Sequence, residues 1–293
     1  MRKLVLLLIL TGCTTASLIL DLPAETPPTS YGEGTLTLTM FNVGQGQAIL
    51  IRLPEGETIL YDAARSGERL TGHLKNESIT TLDYAIISNL DADHAAGLIK
   101  GFDAVLVKNY LQPSVPCDTK TCASLNAKAA TEGSTLLTWH DQDSFVISGA
   151  RIDVLNPDFP LAFGGDNDNS IALKITYKNV SILLPGDCEF KCENALVEQY
   201  GNQLASDIYI AGHHGSKTSS SQAFIDAIDP ELALISVGKN NQYHHPSPSV
   251  IERLNQTTNG YVFRTDELGT LTLTTEGETI ELRDANGLRA FIS

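Results

Sequence analysis

The chain has 293 residues, enough for one large domain or two small ones, and 42% are hydrophobic, an ordinary fraction for a globular protein. Its formal net charge of −15 argues against a broad electrostatic grip on nucleic acid, though not against a local one. No fixed-period repeat is evident.

The N-terminus reads as a targeting signal. Arg2 and Lys3 form a positive region, and Leu4 to Leu10 an apolar one too short to span a bilayer. Leu10-Thr11-Gly12-Cys13 resembles the lipobox of bacterial lipoproteins. That resemblance implies cleavage of residues 1–12 and a lipid on Cys13, which would anchor an exported protein in the bacterial cell envelope. The competing reading is an ordinary secretory signal cut near Ala16-Ser17. Residues 13–34, with Pro23, Pro27, Pro28, Gly32 and Gly34, read as a tether, and residues 35–293 as the domain.

Thr35 to Phe41 alternates with period two, a half-buried strand. Asn42-Val43-Gly44-Gln45-Gly46 turns it into a second strand, Gln47 to Leu53. Glu57 to Tyr61 is a third strand. It ends in Asp62, which is either a turn carboxylate, the commoner fate, or a residue pointing into a site. Ile86 and Ile87 close a short apolar run that reads as a strand buried on both faces. It leads into Ser88-Asn89-Leu90-Asp91-Ala92-Asp93-His94 and the start of a helix.

Strands follow at Ala104 to Val107, Ser134 to Trp139 and Arg151 to Leu155, with a helix at Cys122 to Ala130. The polar loop Asp166-Asn167-Asp168-Asn169-Ser170 leads into strand Ile171 to Tyr177. Val180 to Leu184 leads to Pro185-Gly186-Asp187, before a helix from Glu189 to Tyr200. Asp207 to Ala211 delivers Gly212-His213-His214-Gly215-Ser216-Lys217, and Thr218 to Ser221 can cap a helix at Gln222 to Ile228. Leu232 to Val237 is a strand, Tyr243-His244-His245-Pro246-Ser247-Pro248 a loop, and Ser249 to Leu254 a helix. Tyr261 to Arg264 and Leu268 to Thr274 close the sheet region.

Four cysteines besides Cys13 suit an exported protein with two disulfides, for which three connectivities exist. Cys117 and Cys122 bracket a loop that can close on itself, and Cys188 and Cys192 lie one helical turn apart, where a bridge is geometrically demanding. A four-thiolate zinc knot is the rival, with poor spacing.

The stretch from Ser88 to His94 crowds two carboxylates, an amide and an imidazole into a strand-to-loop junction. A cation relieves the repulsion of Asp91 and Asp93, whereas an Asx-rich turn capping a helix is the bland alternative. Further polar clusters follow strand ends at 62, 166–169, 187, 213–214 and 244–245. If the strands pack side by side, these ends converge into one pool of O and N ligands.

These motifs, in this order, resemble the metallo-β-lactamase superfamily, and within it the soluble hydrolase domain of ComEC-type competence proteins. Phe41 to Gly46, Ser88 to His94, Asn167 to Ser170, Gly186-Asp187, His213 to Ser219 and His245 to Pro248 carry the likeness across residues 35–275. The resemblance implies an α/β fold, the four-layer αββα sandwich, with a metal site at the shared sheet edge. One metal position would take Asp93, His94, Asp187 and a histidine of the His213/His214 pair. A second would take Asn89, Asp91 and Asp168, with Asp187 as bridge. The family's histidine at 89 is Asn here, and its acidic residue after Gly-Gln-Gly is Gln47; both changes weaken the second position.

Imidazole with carboxylate suits Zn²⁺ or Mn²⁺, so one firm metal is expected, with a second weak or absent. A metal-activated water would attack the substrate, with Asp91 and Asp93 in catalytic roles. The resemblance implies a phosphodiester, DNA among the candidates, since ComEC-type domains are thought to cut it. Lys217 and His245 could hold a phosphate or steady a leaving group; as surface charge and loop residue they would do neither. Another ester, lactone or amide, such as a cell-wall phosphocholine-type ester, is the second reading. A binding module with a degraded site is the third. No protein partner is indicated.

Overall fold

Short apolar runs that end in polar turns make up most of the chain, and they assemble into two sheets. The computed structural model describes residues 33–157, 163–258 and 260–293; the expected signal peptide, Cys13 and nearly all of the expected tether lie outside these. The first half runs β1 (Leu36–Met40), β2 (Ile49–Arg52), β3 (Thr58–Tyr61), α1 (Gly67–Asn76), β4 (Thr81–Ile86), α2 (Ala92–Ala95), α3 (Leu98–Gly101), β5 (Leu106–Leu111), α4 (Lys120–Glu132) and β6 (Thr135–Leu137). Next come β7 (Ser144–Ile147), β8 (Ala150–Asn156), β9 (Ala172–Tyr177), β10 (Val180–Leu184), α5 (Phe190–Tyr200), β11 (Ile208–Ile210), α6 (Gln222–Ile228), β12 (Leu232–Ile235), α7 (Pro248–Thr257), β13 (Val262–Arg264) and α8 (Thr265–Leu268). Strands β14 (Leu271–Thr275), β15 (Ile280–Asp284) and β16 (Gly287–Ile292) complete the chain.

The strand orders are β16-β15-β14-β1-β2-β3-β4-β5-β6 and β13-β12-β11-β10-β9-β8-β7. Antiparallel pairing from β1 to β3 gives way to parallel pairing from β3 to β6, and β10 to β13 are parallel in the second sheet. Parallel neighbours need crossovers, which the helices supply. Between the sheets, Leu38, Ile51, Tyr61 and Ile86 pack against Ile152, Ile175, Ile182 and Ile210. Leu70, Leu98 and Leu125 cover the outer face of the first sheet, and Leu196, Phe224 and Leu254 that of the second. Each such side chain contributes about 1.5–3 kcal/mol on burial. This is the four-layer αββα sandwich that the motifs implied.

The structure adds elements that the apolar pattern left out. Helix α1 is held by its Ser66 cap, whose Oγ accepts the Arg69 N–H (3.3 Å), and by Leu70 and Leu74 on an otherwise polar segment. Strand β7 and the β15–β16 hairpin are also additional, and Leu268, expected in a strand, ends α8 instead. Both disulfides are local, Cys117–Cys122 and Cys188–Cys192, with Cα atoms 5.5 Å apart in each. Cys122 belongs to the helix layer of the first sheet and Cys192 to that of the second, which removes the four-thiolate knot.

One buried carboxyl makes stability depend on pH. Glu193 of α5 accepts the backbone N–H groups of Ser220 and Ser221, just before α6. Burial outweighs these bonds and raises its carboxyl to about 7. Folded protein therefore holds this proton more tightly than unfolded chain does. The resulting stabilisation is complete below pH 4.5 and is lost as pH rises through about 7, roughly 3 kcal/mol in all. Urea unfolding of the metal-free chain should show that fall between about pH 5 and 8. Glu193→Gln should flatten it; the same slope in the variant would assign the fall to another group.

Candidate metal centre

Strands running in parallel deliver their C-terminal ends to one edge, and here those ends carry the polar residues. Asp62 follows β3, Ser88 to His94 follow β4, Asp187 follows β10, and His213 and His214 follow β11.

Asp62 organises the centre. It is fully buried at a φ of 61°. Its Oδ1 accepts the Ser88 N–H (2.7 Å), and its Oδ2 accepts the Ser88 hydroxyl (2.9 Å), Gln47 Nε2 (3.0 Å) and His94 Nδ1–H (2.7 Å). A carboxylate on Nδ1 fixes the tautomer and leaves Nε2 as the ligating atom. His214 is set in the same way, with Nδ1–H donating to the Ser236 carbonyl (2.9 Å) while Ser236 Oγ donates to the Gly46 carbonyl (2.9 Å).

Two glycines allow this approach. Gly46 has a φ of 129°, and a Cβ there would stand 2.5 Å from the Asp93 carbonyl oxygen, which accepts the Gln47 N–H (3.1 Å). At Gly186, with a φ of 60°, a Cβ would lie 2.9 Å from the Cβ atoms of both Ser88 and Ser170. The Gly-Gln-Gly turn thus pins Asp93, and Gly186 lets Asp187 enter between two serines.

Asp93, His94 and His214 offer ligand atoms that all lie within 4.8 Å of one another. His94 Nε2 is 3.0 Å from Asp187 Oδ2, and His214 Nε2 is 3.5 Å from Asp93 Oδ2. Both Nε2 atoms are buried, facing these carboxylates without forming a well-aligned hydrogen bond. An unsatisfied buried polar atom costs about 1–3 kcal/mol, which a cation would relieve. Ligands at about 2.0–2.2 Å from a tetrahedral ion stand about 3.4 Å apart, close to the spacings found here. The residues fit a divalent ion, and two imidazoles with carboxylate suit zinc or manganese.

Charge points the same way. Burial works to lower the His94 imidazole, but Asp187 and Asp62 on either side outweigh it and hold it well above the usual range. Burial pushes Asp93 up; His214 and His94 overcome that and bring it down to about 2. Asp187, buried but facing His94, His214 and His213, is held well below the usual carboxylate range.

Of the histidine pair, His214 enters the cluster and His213 stands beside it. The two have φ values of 55° and 48°, in the left-handed region that few non-glycine residues adopt. His213 Nε2 is 3.7 Å from Asp187 Oδ2, and its Nδ1 is 3.1 Å from Glu189 Oε1, which also accepts the Thr218 hydroxyl (2.7 Å). The His245 ring centroid is 5.8 Å from that of His213. Burial lowers its imidazole to about 4, helped by the neighbouring imidazoles of His213 and His214. Lys217 is exposed.

The residues expected at a second metal have other duties. Asn89 Oδ1 accepts the Asp91 N–H (2.9 Å), leaving a buried Nδ2 donor without a partner. Asp168 Oδ1 accepts the N–H groups of Glu189 and Cys192 (3.1 and 3.3 Å) at the start of α5. Asp91 starts α2 at the surface; its partial burial, with Asp93 next to it, raises its carboxyl. Gln47, which stands where the family carries an acidic residue, donates its Nε2 to Asp62 Oδ2. Ser88 opened the Ser88–His94 motif without a role of its own, and Ser236 and Glu189 lay outside the motifs.

Residues 41–239 match the Metallo-beta-lactamase superfamily. The chain belongs to that superfamily. It is 30% identical over 236 residues to competence protein ComA of Neisseria gonorrhoeae, and 30% identical over 257 residues to ComE operon protein 3 of Bacillus subtilis strain 168. These matches take in 78% and 79% of this chain but only 30% and 32% of those proteins, so the chain spans about a third of their length. CmlA, a diiron β-hydroxylase from Streptomyces venezuelae, shares the fold: its TM-score is 0.55 at 15% identity, over 85% of this chain and 55% of CmlA. The present chain is thus a metallo-β-lactamase superfamily domain, hydrolase-like and related to competence proteins. Among the described residues, no helix is long and apolar enough to cross a membrane.

Proposed function

We propose that this chain is an exported, metal-dependent hydrolase of phosphodiesters, a nuclease in the leading case, held at the cell envelope by lipid on Cys13. The observation that carries the reading is the convergence of the buried Nε2 atoms of His94 and His214, each facing a carboxylate without a well-formed hydrogen bond, on Asp93. Asp93, His94 and His214 would hold a zinc or manganese ion with Asp187 beside them, and a second ion is weak or absent. A bound ion supplies Lewis-acid polarisation of a phosphoryl oxygen and brings the pKa of water toward neutrality.

The chain's own groups have distinct tasks in this reading. Asp91, accessible and with a raised carboxyl, orients the attacking water and takes its proton. His245 is neutral at pH 7 and offers a hydrogen bond to a phosphate oxygen or the leaving group. Lys217 adds a local positive charge to an acidic protein. The likeness to ComEC-type domains supports a phosphodiester.

The test is turnover by the metal-loaded chain from Asp21 onward. Single-stranded DNA and simple phosphodiesters should be cleaved, chelator should stop cleavage, and Asp93→Ala should reduce it to background. Absence of turnover on every phosphodiester sinks the reading. The net charge of −15 favours a second one, hydrolysis of another ester, lactone or amide, which the same panel extended to such compounds would reveal. Full activity with one bound metal would exclude a binding module.

A further inference from the structure

Tyr243 is one of the large hydrophobic side chains left in water, 48% exposed, and its ring leads to the metal centre. It stacks on His245, with centroids 5.8 Å apart and 20° between planes. His245 meets His213 edge-on at 5.8 Å and 71°, and His213 Nε2 is 3.7 Å from Asp187 Oδ2. Two ring contacts therefore separate Tyr243 from the carboxylate at the centre.

The loop is built to hold this arrangement. Asn241 Oδ1 accepts the backbone N–H groups of Tyr243 (3.1 Å) and His245 (3.0 Å). Asn241 Nδ2 donates to the carbonyls of Gly238 (2.9 Å) and His245 (2.6 Å). His244, which separates the two stacked residues in sequence, takes a φ of 57° in the left-handed region. A non-glycine residue held there stores local strain, and such strain clusters where a surface is shaped for a ligand. Phe190, 42% exposed, follows Glu189, the residue that holds His213.

Charge explains why an aromatic surface would be needed. A chain of net charge −15 has no general attraction for a polyanion, so whatever holds a nucleotide at the centre must act at short range. A base stacked on a ring gains affinity irrespective of sequence and of overall charge.

We propose that Tyr243 is the stacking platform for the base of a nucleotide whose phosphodiester lies at the metal centre. The substrate is then a short or single-stranded nucleotide phosphodiester, gripped by its base, and not a duplex gripped by its charge. This rests on the phosphodiesterase reading and adds the part of the substrate that reading leaves open.

Two measurements test it on the metal-loaded chain, in wild type, Tyr243→Ala and Tyr243→Phe. One is turnover of a thymidine dinucleotide against the corresponding abasic diester. The other is equilibrium dialysis of thymidine 5′-monophosphate against deoxyribose 5-phosphate. Stacking of one base on an aromatic ring is worth about 10-fold in affinity. Wild type should prefer the base-bearing ligand, Tyr243→Ala should shrink that preference about 10-fold through KM more than kcat, and Tyr243→Phe should retain it. A Tyr243→Ala chain with the wild-type preference overturns the platform, while turnover keeps the phosphodiesterase reading. Tyr243-dependent binding of the monophosphate with no turnover of any diester supports the platform and overturns that reading.

Discussion

Asp62→Ala should lower metal affinity about 10- to 100-fold and unfold the metal-free chain at markedly lower denaturant. No other described side chain is shown taking as many hydrogen bonds at the centre. Without it, the Ser88 N–H and Gln47 Nε2 are left without their acceptor, and a protonated His94 has Asp187 as its remaining counter-charge. Breaking a buried ion pair on one side costs about 3–5 kcal/mol, a large share of a typical folding stability of about 5–15 kcal/mol. Asp62→Asn separates the two effects. Its amide keeps an acceptor for Ser88, but its NH₂ cannot accept the His94 Nδ1–H. The imidazole would then carry its proton on Nε2, the ligating atom. Stability should fall less in Asn than in Ala, while metal affinity falls about as far. Dialysis against buffered zinc, with urea melts alongside, reads both; wild-type affinity in the two variants would remove Asp62 from the centre.

Asn89→His should raise the metal content from one ion per chain to two. Wild-type Asn89 has its carbonyl oxygen committed to the Asp91 N–H and turns a hydrogen-bond donor, buried and unpartnered, to the other side. A donor cannot ligate a cation, whereas a neutral imidazole brings a lone pair. The carboxyl of Asp91, raised by partial burial and by Asp93, would gain from a second positive charge close by. Elemental analysis of both proteins after identical loading measures this. A variant that stays at one ion would mean that Asp168, tied to the start of α5, is not free to complete the second position. Wild type without metal under every loading condition would overturn the ligand assignment and leave a binding module.

The sandwich was legible because its strands are short apolar runs that stop abruptly at polar clusters. Ile86-Ile87 before Ser88 and Ile208 to Ile210 before Gly212 show this most plainly. Helix α1 was not legible, since Leu70 and Leu74 are almost its whole buried face and its capping serine resembles any loop serine. The β15–β16 hairpin is solvated on one side and ends in exposed Leu288 and Phe291, so its alternation is diluted. In the site, residues grouped within a motif could be singled out, whereas Asp62, noted as a strand-end carboxylate that could point into a site, could not be told from a turn residue. The fourfold role of Asp62 depends on β2, β3 and β4 lying side by side, which brings Gln47, Ser88 and His94 around it. Adjacent histidines are likewise inseparable in sequence. Only the left-handed backbone at both positions sends His214 inward to Ser236 and His213 outward to Glu189.

The pairing of β1 with β14 sets the order in which this protein can be assembled. Leu36 lies opposite Thr275 and Met40 opposite Leu271, so β1 waits for a strand made much later in the domain. Until then β1 can pair only with β2, and its other edge offers free N–H and C=O groups to any passing strand. Contacts so distant along the chain are slow to form and leave apolar surface open meanwhile. A nascent chain stalled before Leu271 therefore keeps that edge of β1 open, and the making of β14 is what closes it.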